Sequence, residues 1–433
     1  MREDKTIIQT TLPNGLQVRL KEIHTAPLIS HWIWYRVGSR QEKAGYTGIS
    51  HWVEHMQFKG TPTFPASVLD KAISREGGIW NAFTYMDWTA YFETLPADRI
   101  RLALNLEADR MQNSLYENQE VEAERSVILS EREGNENEPL FRLGEAVQLN
   151  AFEHHPYKNE VIGTTEDLLN IKRDDLYNHY RSYYTPGNAV LAIAGDFTGE
   201  EMLSQIYDTY DSIPGKANLP FQIPGDEINN SEKRLEILGP GETTYLEIAY
   251  HAPEASHVDF YAFTILDSLL TGPASLNMFG GGGISNKTSR LYRALIEKDL
   301  AVSVHGGIQA TIDPYLYDVT ITVHPHSSVD EVLEVFDSNI DVLQNEHVSA
   351  QDIAIAVKQA KALFAYGTEN ITNQAFWLGY AEMFAHYDWF TQYLEKIQQV
   401  TAEDVLRIAR TYLKPGSRVV GSYLPEDTAG GKQ

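Results

Sequence analysis

The 433-residue chain contains no cysteine. It can form no disulfide framework, and no thiolate can serve as nucleophile or metal ligand, so any zinc site must be built from His, Asp or Glu. No apolar run approaches the roughly 20 residues needed to span a bilayer, and no membrane partner is expected. The opening stretch MREDKTIIQTTLPNG lacks the apolar segment of a signal peptide. That places the chain in the cytoplasm, or in the periplasm if a signal has been removed. Basic residues are scarce: 35 Lys and Arg stand against 60 Asp and Glu, a formal charge of −25. Nucleic-acid phosphates need Lys and Arg, so nucleic acid is excluded as a partner. The acidic balance is that of a solvated surface, and it also attracts basic peptides.

What is present is a globular composition, 42% hydrophobic and 11% aromatic. The length is too great for one ordinary core and predicts two domains of about 200 residues. Strands are expected in GLQVRL and LISHWIWYRV, a helix in TGISHWVEHMQFKG capped at Gly60, and a second helix in PASVLDKAISREGG. The aromatic and Thr-rich GIWNAFTYMDWTAYFETL reads as a β-hairpin. PADRIRLALNLEADRMQNS and NQEVEAERSVILSERE read as long amphipathic helices.

The segment DDLYNHYRSYYTPGNAVLAIAGDF (174–197) aligns without gaps with EDVLRIARTYLKPGSRVVGSYLPE (403–426). Each reads as helix, Pro-Gly turn and strand, which points to a duplicated half. Residues 214–232, with three prolines and little periodicity, read as a linker. The expected organisation is therefore an N-terminal domain at 1–213 and a homologous C-terminal domain at 233–433.

The stretch GISHWVEHMQFKG carries His51, Glu54 and His55 in a mostly apolar setting. One reading is a surface helix with scattered polar residues. The other is a metal site. On a helix, residues i and i+4 share a face, so His51 and His55 can reach one ion. Glu54, at i+3 from His51, can take the proton of a water made acidic by zinc. The order H-x-x-E-H is the inverzincin signature. A catalytic zinc takes three protein ligands. In EAERSVILSERE, Glu124 and Glu131 lie seven apart, two helical turns, facing one way while Val127 and Ile128 are expected to pack inward.

With these spacings the chain resembles the M16 family of zinc metallopeptidases, of the short two-domain bacterial type related to pitrilysin and the mitochondrial processing peptidase. HWVEHMQFKGT stands for the family's first helix and ERSVILSE for its distal one, with Glu131 lying 76 positions beyond His55. GGIWNAFTYMDWTAYFETL and HHPYKNEVIGTTEDL extend the likeness. The resemblance implies an α+β fold of two homologous α/β-sandwich domains, each a mixed, mostly antiparallel sheet covered by helices, together forming one half of a clamshell. It implies one Zn2+ per chain on His51, His55 and Glu131. Glu54 would be the general base, and Glu124 would support the catalytic site by orienting a ligand histidine or the substrate side of the site. Asn81, Ala82, Phe83 and Thr84 would bind an extended peptide at a strand edge.

The family's second half supplies an Arg and a Tyr seven apart. In YRALIEKDLAVSV the matching positions hold Leu295 and Val302, while Tyr292 and Arg293 stand at the wrong spacing. The expectation is a zinc endopeptidase subunit that works as a heterodimer with a homologous subunit bearing the Arg/Tyr pair. A self-sufficient homodimer and a non-catalytic assembly subunit of the same fold are the alternatives. The glycines Gly280–Gly283 in MFGGGGISNKTSR read as a peptide-touching loop or a plain connector.

Overall fold

A computed structural model describes residues 7–215, 223, 225–226, 231–277 and 283–426. Most of the expected linker 214–232, and Gly280–Gly282 of the glycine run, lie outside the described residues. The first half of the chain forms β1 (Ile7–Thr11), β2 (Gln17–Glu22), β3 (Leu28–Tyr35), α1 (Ile49–Met56), α2 (Ala66–Arg75), β4 (Ile79–Thr84), β5 (Thr89–Pro96), α3 (Ile100–Asn113), α4 (Asn118–Glu136), α5 (Pro139–Ala151), α6 (Thr165–Asn170), α7 (Arg173–Tyr183), β6 (Ala189–Gly195) and α8 (Gly199–Tyr210). The second forms β7 (Lys233–Gly239), β8 (Tyr245–Ala252), α9 (Asp259–Leu270), β9 (Ala301–Ile308), β10 (Tyr315–Val323), α10 (Val329–Asn345), α11 (Ala350–Tyr366), α12 (Ile371–Phe384), α13 (Tyr387–Gln398), α14 (Ala402–Tyr412) and β11 (Arg418–Pro425). Among the described residues no helix is long and apolar enough to cross a membrane.

Each half contributes one mixed sheet, ordered β1-β2-β6-β3-β5-β4 and β7-β11-β8-β10-β9. One pair in each is parallel, β2 with β6 and β7 with β11, and the other neighbours are antiparallel. With β1 set aside, the two sheets have the same strand order and the same parallel pair. The repeated sequence segments fall on α7–β6 and α14–β11, each joined by a short 3-10 turn starting at a proline. The fold is thus two homologous halves, each a sheet covered by helices, as the sequence led one to expect.

Contacts group the chain into two compact units. The first takes residues 1–132, 159–223 and 368–390, and the second takes 133–158, 224–367 and 391–433. Within the first unit α12 lies on β3 and β6, and within the second α5 lies on β8 and β11. Central strands β3 and β6 are buried on both faces, which is why LISHWIWY and AVLAIAG run apolar without alternation. Helix α12 approaches the sheet closely at Gly379, where an added Cβ would overlap the Trp34 ring. Trp34 is held by its neighbours: it stacks on Trp32 at 5.3 Å and meets Phe376 edge-on at 5.4 Å. On the other face α1 packs against β4 and β5, and α3 against β3.

Two predictions come from this packing. Gly379→Ala forces the fully buried Trp34 to move and lowers the unfolding free energy by about 1–3 kcal/mol. Gly134→Ala, on α4 with nothing within 4 Å of the new methyl, leaves stability unchanged or raises it. Denaturant titration reads both. A third prediction concerns Asp267 of α9, which accepts hydrogen bonds from the Thr271 hydroxyl (2.6 Å) and the Tyr317 hydroxyl (2.9 Å). Burial pushes its carboxyl up to about 7, against the pull of those hydroxyls. A carboxyl raised in the folded state stabilises below its unfolded pKa, and this contribution is lost as pH rises through the folded value. Stability therefore falls between about pH 4 and pH 7, and Asp267→Asn flattens that fall by about 4 kcal/mol, measured as the pH dependence of the denaturation midpoint.

Candidate metal centre

Helix α1 starts at Gly48, whose φ of 86° is in the left-handed region. A side chain there would overlap the Ile162 carbonyl. Glycine brings no cap of its own, and the first N–H groups of a helix need acceptors. Glu42 supplies them: its carboxylate accepts from Gly48 N–H at 2.9 Å and from Ser50 N–H at 2.8 Å. The Ser50 hydroxyl donates to the Gly38 carbonyl at 3.0 Å. Trp52, Val53 and Met56 are fully buried and seat the helix. The helix ends at Met56, earlier than expected. The chain then unwinds through tight turns from Phe58 N–H to His55 C=O and from Lys59 N–H to Met56 C=O, and reaches Gly60 at φ 93°.

Helix α4 presents the stripe Val121, Glu124, Ile128 and Arg132 inward. Ile128 is fully buried, but Val127 is 50% exposed, contrary to the expectation that both pack inward. The buried stripe advances by three or four residues, and Val127 lies one position off it.

The two helices bring their polar groups together. The rings of His51 and His55 are 4.5 Å apart between centroids. His51 Nε2 is 3.8 Å from one Glu131 oxygen and His55 Nε2 is 3.7 Å from the other. One ligand atom from each of these three residues lies within 4.8 Å of the other two, and among the described residues no other such group of three His, Asp or Glu occurs. His55 Nδ1 meets Glu124 Oε1 at 2.8 Å, which directs Nε2 toward Glu131. The second Glu124 oxygen meets Lys59 Nζ. Glu54 is buried and accepts a hydrogen bond from the Thr84 hydroxyl of β4 at 2.6 Å.

Burial, together with the neighbouring His55, drives the His51 pKa down to about 3, so its imidazole is neutral. Burial pushes Glu54 up to about 7, with the Glu131 charge adding to it and Thr84 and His55 opposing. For His55 the lowering by burial is outweighed by the Glu124 hydrogen bond and by the nearby carboxylates, and the pKa is raised. For Glu124 burial is likewise outweighed, by His55 and Lys59, and the pKa is lowered. Two imidazoles and one carboxylate, with His51 neutral and its Nδ1 buried without a hydrogen-bond partner, form the His2Glu donor set of catalytic zinc. The donor chemistry fits that ion.

Strand β4 is the edge of its sheet. Asn81 is exposed there, its side-chain oxygen accepting from Ala82 N–H at 2.9 Å. Ala82 is buried, and Phe83 stacks on Phe92 with ring centroids 6.3 Å apart. Thr84 is turned to Glu54 rather than to the open edge. In the second unit, Leu295 is fully buried in a short π-helical turn, Tyr292–Ile296, and Val302 is 57% exposed on edge strand β9. Arg293 donates to the Thr288 carbonyl at 2.7 Å.

Two residues and one contact escaped the sequence reading: Glu42, Lys59 and the bond from the Thr84 hydroxyl to Glu54. Lys59 was within reach of pattern reasoning, since it stands four residues after His55. Glu42 and the Thr84 bond depend on chain returns that leave no periodic trace.

Comparison with known proteins matches residues 17–165 to the family described as Insulinase (Peptidase family M16) and residues 170–360 to that described as Peptidase M16 inactive domain. An uncharacterized zinc protease of Mycobacterium leprae is 28% identical over 98% of this chain and 93% of its own. A probable mitochondrial-processing peptidase subunit beta of Arabidopsis thaliana is 28% identical over 65% of this chain and 54% of its own. The crystal structure of a protease from Helicobacter pylori shares the fold at a TM-score of 0.88 and 24% identity, covering 97% of this chain and 99% of that one. With both family domains matched in order along the chain and the helices of the first converging on a His2Glu cluster, the protein belongs to the M16 family of zinc metallopeptidases.

Proposed function

We propose that the chain is the zinc-bearing subunit of an endopeptidase, with His51, His55 and Glu131 holding one zinc ion and Glu54 acting as general base. The observation that carries this reading is the convergence, within 4.8 Å, of three ligand atoms from two helices beside a buried carboxylate. Zinc, when bound, supplies Lewis acidity and makes water acidic near neutrality. The protein's own groups do the rest. Thr84 fixes one oxygen of Glu54, leaving Oε1 to take a proton from the attacking water. Glu54 then delivers that proton to the leaving nitrogen, so that the C–N bond gives an acid and an amine. Glu124 holds His55 by Nδ1, and Lys59 holds Glu124. The edge of β4 receives an extended peptide by main-chain hydrogen bonds, with Asn81, Ala82 and Phe83 alongside.

The same reading assigns the missing electrophilic groups to a homologous partner subunit. It is supported by Leu295 and Val302 at the positions where the family resemblance expects Arg and Tyr, and by a relative named as a subunit.

Glu54→Gln keeps near-stoichiometric zinc by elemental analysis and loses about 10²–10⁴ in turnover of a peptide substrate, the span of general acid–base catalysis. His51→Ala loses the zinc itself. A Glu54→Gln variant that still turns over, or a parent chain without zinc, rejects the reading. As a further expectation, the purified chain alone is about 10²–10³ slower than the same chain mixed with an Arg/Tyr-bearing M16 subunit, the worth of one oxyanion donor. Full activity from the chain by itself rejects the partner.

A further inference from the structure

Helix α1 carries two proposed ligands and the proposed base within eight residues, yet its N-terminal cap is a glycine with no side chain. Its first N–H groups are held instead by Glu42, a buried residue six positions upstream. Both carboxylate oxygens are engaged, Oε2 by Gly48 N–H and Oε1 by Ser50 N–H, which directly precedes His51. Two bonds from one rigid group fix the rotation of the first turn as well as its position along the axis. A second tie holds the loop entering the helix: Asp167 of α6 accepts from Thr47 N–H at 3.0 Å and from the Thr47 hydroxyl at 2.6 Å. Of these two carboxylates, only Glu42 binds an amide of the helix itself. Ligand positions need to be held within roughly half an ångström for a productive site.

We propose that Glu42 is a positioning residue of the metal centre: through the amides of Gly48 and Ser50 it sets where the His51 and His55 imidazoles stand relative to Glu131. The inference rests on the zinc reading above. An amide at this place keeps one acceptor oxygen but turns an NH2 toward the second backbone N–H, so one of the two bonds is lost.

The test is chelator-competition measurement of zinc affinity on the full chain, with thermal unfolding of the metal-free protein alongside. Glu42→Gln is expected to fold and to lose roughly tenfold to a hundredfold in zinc affinity, the range seen when groups behind metal ligands are removed. Leu343→Ala, a fully buried site on α10 in the second unit, is the control: it lowers the unfolding temperature and leaves zinc affinity as in the parent. If Glu42→Gln does not fold, Glu42→Asp, which keeps the charge but withdraws it by one methylene, is read by the same measurements. A folded Glu42 variant that binds zinc as tightly as the parent overturns this inference alone. A parent chain that binds no zinc overturns the proposed function and this inference with it.

Discussion

A short helix with no spare face is the constraint on which the rest of the centre depends. Trp52, Val53 and Met56 of α1 are fully buried, so the helix cannot turn or slide without opening the core of its unit. Several of its polar groups are held in the same interior by partners, where an unpaired buried polar group costs of order 1–3 kcal/mol. The partners come from separate parts of the chain: Thr84 of β4 for Glu54, Glu124 of α4 for His55, Gly38 for the Ser50 hydroxyl. Glu131 comes from α4. It stands 42% exposed by side chain, which leaves the carboxylate side of the cluster open to solvent while the imidazole side is enclosed. A site closed behind and open in front can admit an ion and a peptide without moving its histidines.

The duplicated sheets show how one architecture supports two surfaces. The parallel registers put Val18 beside Leu191 and Leu20 beside Ile193 in the first sheet, and Arg234 beside Val420 and Glu236 beside Ser422 in the second. The repeat aligns Leu191 with Val420 and Ile193 with Ser422, so these are equivalent positions. In the first unit all four side chains are fully buried, and α8 packs on β2 and α3. In the second unit Arg234 and Glu236 are exposed and line an open cavity of about 510 Å³ together with Val420, Ser422 and the start of α10. Where apolar strand positions of the first unit are covered by a helix, charge and hydroxyl stand in the second.

Much of this was readable in advance wherever the signal was periodic. The i, i+4 histidines and the seven-residue step from Glu124 to Glu131 each define a helix face, and faces follow from spacing alone. The hairpin 79–96 followed from its aromatic and Thr content, and the repeat foretold that α7–β6 would recur as α14–β11. What was hidden is what the chain does at long range. Nothing in the composition shows that residues 133–158 and 368–390 would trade compact units, because α5 and α12 carry ordinary helical sequences whose destination is a tertiary choice. Val127 was misjudged because an apolar residue beside a buried one was taken for a second core position. The Glu42 clamp lies in SRQEKAGYTG, whose charges resemble any solvated loop until Gly48 and its left-handed backbone require an outside cap.

The second half differs from the first in what its core can tolerate. Val302 is exposed on an edge strand, so a tyrosine there is a surface change. Leu295 is not equivalent: it is fully buried, and an arginine in its place would carry a guanidinium into the interior. Unpaired buried charge costs several kcal/mol, a large share of the stability of a single domain. The Leu295 position is part of the packing. The first unit bears the opposite burden, keeping buried Glu42, Glu54 and Glu124 where apolar residues would be more stable. The His51, His55 and Glu131 cluster thus lies in the half that carries these buried carboxylates.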